Sequence, residues 1–235
     1  MNRPASLLLL LICISACASD SEPTSALWSP LAASERYDGK TIEEWAVEWT
    51  RWGFAQTECE RDTRFDKTGE WCGEHQPEDA PVFFFDSGPM GTVRSSCRVP
   101  EGKAIVLPVA MYSIDNAGEP ELTPDDELMV VATQARESAR DMVLELDGHV
   151  VSDLDARRIG PLKSSYYVPP APNWFSCHRI MDLADVTVEP VFISGVLVVL
   201  PPPEPGEHTV RYGATLTFRS GNQVRYEVTS HFHVD

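Results

Sequence analysis

Residues 207–234 read EHTVRYGATLTFRSGNQVRYEVTSHFHV, two alternating runs that flank a central turn. Apolar residues occupy every second position of both runs, and polar residues stand between them. Because successive side chains of a strand point to opposite faces, this pattern predicts a hairpin with one buried and one wet face. Ser220, Gly221 and Asn222 are residues typical of its turn.

Apolar runs upstream of this hairpin predict further strands. Residues 82–85 are continuous and apolar between Pro81 and Gly88, as in a strand buried on both faces. The other predicted strands span 92–99, 103–112, 142–146, 149–152 and 196–200. Asp147-Gly148 is typical of a tight hairpin turn. The polar residues 55–80 predict a loop.

Two helices are predicted. Thr41 and Glu44 form a capping-box pattern, and apolar residues then recur at helical spacing over 42–54. Three of those apolar residues are tryptophans, which we interpret as core rather than as a platform for sugars. Thr123-Pro124 predicts the start of a second helix that runs to about residue 140.

These elements predict an α+β, mostly β fold: sandwich-like antiparallel sheets with two helices. The length of 235 residues allows one large domain or two small ones. We predict a single β-rich globular domain over residues 37–235, and the alternative division lies near residue 122.

The first residues resemble a secretory leader. Arg3 precedes a short apolar run, Leu7 to Ile14, which is too short to span a membrane. The run ends in Ile14-Ser15-Ala16-Cys17, which resembles a bacterial lipobox. The resemblance implies a signal peptide over 1–16, an acylated Cys17 and a flexible tether over 17–36. An ordinary signal peptide with Cys17 as a spare thiol is the alternative.

Charge and anchor together define the expected partners. The chain has 19 basic and 36 acidic residues, a formal charge of −17, which excludes a general nucleic-acid binder. Acylated Cys17 would bind the lipid bilayer. Ala18 at the next position favours the outer membrane of the bacterial envelope over the inner one. We expect a glycan or another envelope protein as ligand, and no cofactor.

Four cysteines remain after the leader and the lipidated position: Cys59, Cys72, Cys97 and Cys177. An even number in an exported chain predicts two disulfides, for which three pairings exist. A zinc site is the weaker interpretation, because the sequence has no C-x-x-C pair.

Several segments together are similar to a family of uncharacterised bacterial exported proteins, over roughly residues 37–234. They are Glu44-Trp45 with Trp49 and Trp52, Cys72 before Phe83-Phe84-Phe85, Cys97 to Ala104, Leu146-Asp147-Gly148, and Pro205 to Val210. The chain departs from the family pattern at Phe85-Asp86-Ser87-Gly88, where relatives are more apolar. The last of these segments also resembles the late strands of immunoglobulin-like sandwiches, which implies an immunoglobulin-like C-terminal part.

The family resemblance also implies a disulfide pairing. It places a cysteine at both Cys72 and Cys97 and so suggests that they pair with each other, which leaves Cys59 with Cys177. The rival pairing, Cys59 with Cys72 and Cys97 with Cys177, stays open at this point. The resemblance implies no activity.

No catalytic motif stands out, and the catalytic residues stay unassigned. His231 and His233 share one strand face and are weak metal candidates, although a solvated strand face explains them better. The turn at Asp115–Glu119 has oxygen ligands for Ca²⁺ but lacks the full loop spacing.

Two further groups of residues are poor candidates for catalysis. Cys177 and His178 are adjacent in sequence, and on a strand adjacent side chains point to opposite faces, which argues against a Cys–His catalytic pair. Asp62, Asp66 and Glu70 could pair as acid and base, but loop carboxylates are usually only solvated.

Two functions are therefore carried forward. The first is a surface-tethered envelope lipoprotein with a non-enzymatic binding or structural role. The alternative is a hydrolase or metal-assisted enzyme whose site is assembled from distant loops. Buried, converging carboxylates or histidines would favour the enzyme, and an exposed aromatic strip would favour the binder.

Overall fold

A computed structural model of the chain describes residues 27–57, 59–88, 91–117, 120–122, 124–218 and 220–235. The predicted signal peptide, the lipidation site Cys17 and the first part of the tether lie outside these ranges, as does the predicted cap Thr123. Within the described ranges, no helix has the length and apolar character needed to cross a membrane.

The elements follow one another in this order. The helices are α1 (Ile42–Phe54), α2 (Asp125–Ser138) and α3 (Trp174–Cys177). The strands are β1 (Arg36–Tyr37), β2 (Lys40–Thr41), β3 (Val82–Phe84), β4 (Thr92–Val99), β5 (Ala104–Asp115), β6 (Arg140–Leu146), β7 (His149–Val150), β8 (Arg158–Val168), β9 (Val186–Leu200), β10 (Gly206–Thr217) and β11 (Gln223–Val234). Short 3-10 helices span Cys59–Arg61, Thr63–Phe65 and Leu154–Arg157.

The strands form two principal sheets. One has the order β4-β11-β10-β6-β7 and the other β3-β5-β9-β8, while β1 and β2 form a small ribbon. The mostly β, sandwich-like prediction is confirmed. Two strand pairs depart from the antiparallel arrangement: β4 runs parallel to β11, and β3 runs parallel to β5. After β4 the chain turns and crosses to the other sheet as β5.

The two sheets enclose the main core. Phe83, Ile105 and Leu107 on one sheet pack in the same cluster as Val210, Tyr212 and Phe232 on the other. The terminal hairpin is confirmed, with paired residues from Gly206 opposite Val234 to Thr217 opposite Gln223. Phe218, predicted in the buried set, is 48% exposed because it lies beyond the last paired residues, at the tip.

Helix α1 covers the outer face of the four-stranded sheet. Its capping box is confirmed: the Glu44 amide donates to Thr41 Oγ1 at 3.1 Å, and the Thr41 amide donates to Glu44 Oε2 at 2.7 Å. Trp45 and Trp52 are buried, and the Trp52 ring stacks on Phe84 at 5.4 Å. The tryptophan stripe is therefore core, as predicted. Because both faces of this sheet are covered, β3 and long runs of β5 and β9 are continuously buried.

Some boundaries differ from the prediction. Helix α2 ends at Ser138 rather than near Arg140, because Arg140 already begins β6. Strand β9 starts ten residues before the predicted 196, at Val186. Strand β8 and helix α3 were not predicted, since their residues show no sustained alternation or helical stripe.

The end of the predicted tether is attached to the folded body. The Trp28 indole donates to the Pro201 carbonyl at 2.8 Å, and its ring lies 6.2 Å from Phe232. The Leu31 amide donates to the Val199 carbonyl at 2.9 Å. Within the described residues, contacts with the body are thus present from Trp28 onward, before the predicted boundary at residue 37.

Two disulfides join the polar segment 55–80 to the body. Cys72 pairs with Cys97 at a Cα–Cα distance of 5.6 Å, and Cys59 pairs with Cys177 at 5.1 Å. Both distances fall within the range of protein disulfides. The pairing implied by the family resemblance is confirmed, and the rival pairing is wrong.

Candidate functional site

The segment 55–80 carries buried charge, which corrects the prediction of a solvated loop. Asp62 and Asp66 are buried, whereas Glu70 is exposed. Backbone amides of Thr68, Gly69 and Trp71 donate to the Asp66 carboxylate at 2.8–2.9 Å. The three carboxylates therefore do not form an acid–base pair, and Asp66 serves to fold its own turn.

Hydrogen bonds also decide the ionisation of Asp66. Burial alone would raise the pKa of its carboxyl, but the backbone amides and the Thr68 hydroxyl outweigh burial and hold the pKa below its ordinary value. The carboxylate is thus a fixed anion at neutral pH.

Arg94 on β4 is the centre of a second buried group. It is only 1% exposed, and its guanidinium donates to both carboxylate oxygens of Asp86 at 2.9 and 3.1 Å. It also donates to the backbone carbonyls of Asp66 and Thr63 at 2.8 and 3.0 Å. Tyr212 donates its hydroxyl to the Asp86 carbonyl at 2.6 Å. Asp86 is thus the counter-ion of Arg94.

The charge of Arg94 is maintained in this setting. Burial by itself would lower the pKa of Arg94, but the negative charge of Asp86 and its hydrogen bonds outweigh burial and raise that pKa. The pair therefore ties the 59–88 segment to the sheet through a buried contact with two hydrogen bonds.

A third group joins Asp62 to His178. Asp62 caps the 3-10 helix Thr63–Phe65, where the Arg64 amide donates to Oδ1 at 3.0 Å. Arg64 also pairs with both carboxylate oxygens through its guanidinium, at 2.9 and 3.0 Å. His178 Nε2 lies 3.0 Å from Asp62 Oδ2. The Cys59–Cys177 disulfide brings these two segments together across 118 positions.

Cys177 and His178 do not lie on a strand, which corrects the prediction. They end helix α3, whose cap is Asn173, with its side chain accepting from the Ser176 amide at 3.0 Å. Cys177 is bonded to Cys59, and His178 contacts Asp62. The Asp62–His178 pair was not predicted, because 116 positions separate the two residues and no local pattern links them.

The ionisation of Asp62 follows from its partners. Burial would raise the pKa of its carboxyl, but the hydrogen bonds and charge of Arg64, with the hydrogen bond from His178, hold the pKa below its ordinary value. An imidazole oriented by an ionised carboxylate can accept or donate a proton through its other nitrogen.

Two aromatic side chains lie beside the Asp62–His178 pair. We call the surface formed by Arg64, Phe65, Trp174 and His178 the Phe65 surface. Phe65 is 51% exposed, and its ring lies 4.2 Å from the His178 ring. The Arg64 guanidinium lies 4.7 Å from the Trp174 ring, within the range of a cation–π contact. The surface thus presents a half-exposed aromatic ring on a support held by a disulfide and an ion pair.

The remaining predicted candidates lie elsewhere. His231 and His233 are on the wet face of β11, where they contact the Thr209 hydroxyl and the Glu207 carboxylate, each at 2.9 Å. Asp115 is buried and accepts from the Tyr166 hydroxyl at 2.9 Å, while Gly118 and Glu119 of the candidate Ca²⁺ turn lie outside the described residues. Across the described ranges, no three His, Cys, Asp or Glu side chains converge as metal ligands.

Comparisons with known proteins assign this chain to no family. No family model and no curated protein matches the sequence. Among solved structures, the chain is similar to one titled "Solution Structure of Amebosin", with 9% identity and a TM-score of 0.17, over 62% of this chain and 90% of that one. A TM-score at that level supports no conclusion on fold or function.

Proposed function

We propose that this chain is an exported envelope lipoprotein, anchored through an acylated Cys17, that acts by binding a glycan or another envelope protein. The observation that carries the binding role is the Phe65 surface, a half-exposed aromatic ring on a fixed support. The leader pattern and the lipobox-like Cys17 support the anchor.

The disulfides support export. Bonds such as Cys59–Cys177 and Cys72–Cys97 form and persist in oxidising compartments and are rare in the cytosol. An extracytoplasmic location is consistent with the leader. The bacterial envelope, and its outer membrane in particular, are the locations that the lipobox-like cysteine and Ala18 favour.

The arrangement of the Phe65 surface suits recognition. Aromatic residues and arginines supply most of the binding energy in protein interfaces, and aromatic rings bury large apolar area. Because Asp62 holds Arg64 and His178 at 2.9–3.0 Å, these side chains are already ordered before a ligand arrives. Preorganisation of this kind lowers the entropic cost of binding.

The Asp62–His178 pair is the observation that favours the alternative, a hydrolase. A carboxylate-oriented imidazole is the arrangement of a general base. Here, however, both carboxylate oxygens also bind Arg64, and the tilted Phe65 ring lies 4.2 Å from the imidazole. These contacts are those of a structural ion pair, so we prefer the binding role.

The anchor is tested by metabolic labelling. We expect labelled palmitate to enter the wild-type chain expressed in a bacterial host and not the Cys17→Ala variant, because the lipid is attached to that cysteine. Equal labelling of both chains would contradict the anchor and leave the body as a freely exported protein.

The binding role is tested with Phe65→Ala. We expect this change to weaken retention of residues 18–235 on peptidoglycan sacculi or on an isolated envelope protein about 10-fold or more, as for a central aromatic of an interface. The measurement is co-sedimentation with sacculi, beside affinity capture from envelope extract.

Phe218→Ala is the matched control for this test. Phe218 is exposed to nearly the same extent, 48%, at the tip of the β10–β11 hairpin. We expect it to leave retention unchanged. Equal losses in both variants would indicate nonspecific adhesion and contradict the assignment to the Phe65 surface.

A further inference from the structure

A cavity of about 300 Å³ opens where helix α2 meets the tip of the β10–β11 hairpin. Strand β5 contributes Tyr112 and Ile114, α2 contributes Val131, Ala135 and Ser138, and the hairpin contributes Phe218. The cavity shares no residue with the Phe65 surface. Its volume is at the lower end of those that hold small organic ligands in proteins.

The chemistry of the walls restricts the ligand. Aliphatic and aromatic side chains supply much of the lining, and none of the described lining residues carries a formal charge. A charged ligand would lose its hydration, and no charged side chain among the described lining residues would contact it in exchange. The cavity therefore suits a neutral molecule with an apolar body.

Tyr112 supplies a buried hydroxyl that has close polar neighbours but no partner in full hydrogen-bonding geometry among the described residues. Its side chain is 7% exposed, and its hydroxyl lies beside Ser138 and Thr217. No described donor or acceptor meets that hydroxyl in hydrogen-bonding geometry. The neighbouring Ser138 hydroxyl already donates to the Ala135 carbonyl at 2.8 Å. Buried hydroxyls are usually paired, so this one calls for a partner.

The Tyr112 hydroxyl is a donor at neutral pH. Burial is the largest influence on its pKa and raises it above the ordinary value, although hydrogen-bonding interactions with Ser138 and the Thr217 backbone, and the charges of Arg158 and Arg140, act in the opposite direction. The partner that it lacks is therefore an acceptor, such as a carbonyl oxygen.

We infer that this cavity is a binding site for a small neutral molecule with an apolar, ring-sized body and one hydrogen-bond acceptor, such as an aromatic ketone or amide. Its apolar body would pack against Val131, Ala135 and Phe218, and its acceptor would receive the Tyr112 hydroxyl. This site is separate from the proposed function, so each can fail without the other.

The test is a titration of isotope-labelled residues 18–235 with three probes, followed by protein-observed NMR. Acetophenone has the ring and the acceptor, ethylbenzene lacks the acceptor, and benzoate carries a charge. We expect saturable shifts around Tyr112 and Ala135 with acetophenone, at a Kd below about 1 mM. Ethylbenzene should bind several-fold more weakly, and benzoate should not saturate.

Variants assign the binding to the cavity. Tyr112→Phe should weaken acetophenone binding about 2- to 10-fold, the effect of losing one hydrogen bond, and leave ethylbenzene binding unchanged. Val131→Trp should fill the cavity and abolish both. Tyr167→Phe, a change of the same kind at an exposed tyrosine, is the control and should have no effect.

Three results would overturn the inference. One is the absence of saturable shifts with acetophenone. Another is equal acetophenone affinity in the wild type and in Tyr112→Phe. The third is benzoate binding as tight as that of acetophenone. If Val131→Trp does not fold, the Tyr112→Phe comparison still decides, because that change keeps the ring and removes only the hydroxyl.

Discussion

Replacement of Arg94 by alanine is expected to lower the free energy of unfolding by about 3–5 kcal/mol. The change would leave the Asp86 carboxylate buried without its counter-ion and would remove the donors to the Asp66 and Thr63 carbonyls. A buried carboxylate without a partner is costly because it has lost its hydration. The measurement is equilibrium denaturation with urea, with the disulfides intact.

Arg98→Ala is the matched control on the same strand. Arg98 also pairs with an aspartate, Asp235, at 2.8 Å, but its side chain is 63% exposed. Pairs so exposed contribute about 0–1 kcal/mol, because water screens them. Similar losses for the two variants would contradict the view that burial gives the Arg94 pair its importance.

Removal of the Cys59–Cys177 disulfide by the double change to alanine is expected to cost about 4–5 kcal/mol of unfolding free energy. The bond joins residues 118 positions apart, so its loss frees a long loop in the unfolded chain. It also releases the segment that carries Asp62 from the one that carries His178. We therefore expect ligand retention through the Phe65 surface to fall as well.

The Cys72–Cys97 disulfide provides the comparison. Its residues are 25 positions apart, so the chain-entropy model gives a smaller loss, about 3–4 kcal/mol, for its double change to alanine. This variant should keep the Asp62–His178 contact. Denaturation curves for both variants test the order, and a larger loss for the shorter loop would contradict the chain-entropy explanation.

Much of the architecture could be predicted from local patterns. The alternation over 207–234 predicts the hairpin because side-chain direction in a strand depends on neighbouring positions alone. The capping pattern of Thr41 and Glu44 predicts the start of α1 for the same reason. The continuous apolar run at 82–85 predicts a strand covered on both faces, which β3 is.

The candidate site could not be predicted in this way. Asp62, Asp66 and Asp86 look like solvated loop carboxylates, since nothing within a few residues of them indicates burial. Asp62 contacts His178, which directly follows α3, and Asp86 pairs with Arg94 on β4; the long disulfide loop joins the first of these pairs. The pairings depend on distances between remote segments, which a local pattern does not contain.

Local patterns and contacts between separate segments determined different features of this protein. The sequence by itself determined the mostly β class, helix α1, the terminal hairpin and the cysteine count, because these depend on the identity and spacing of neighbouring residues. The tertiary structure alone decided the parallel edges at β3 and β4, the burial of the 59–88 charges and the cavity beside Tyr112. A charge enters the interior only where a partner replaces its hydration, and for Asp86 chain folding brings that partner, Arg94, near.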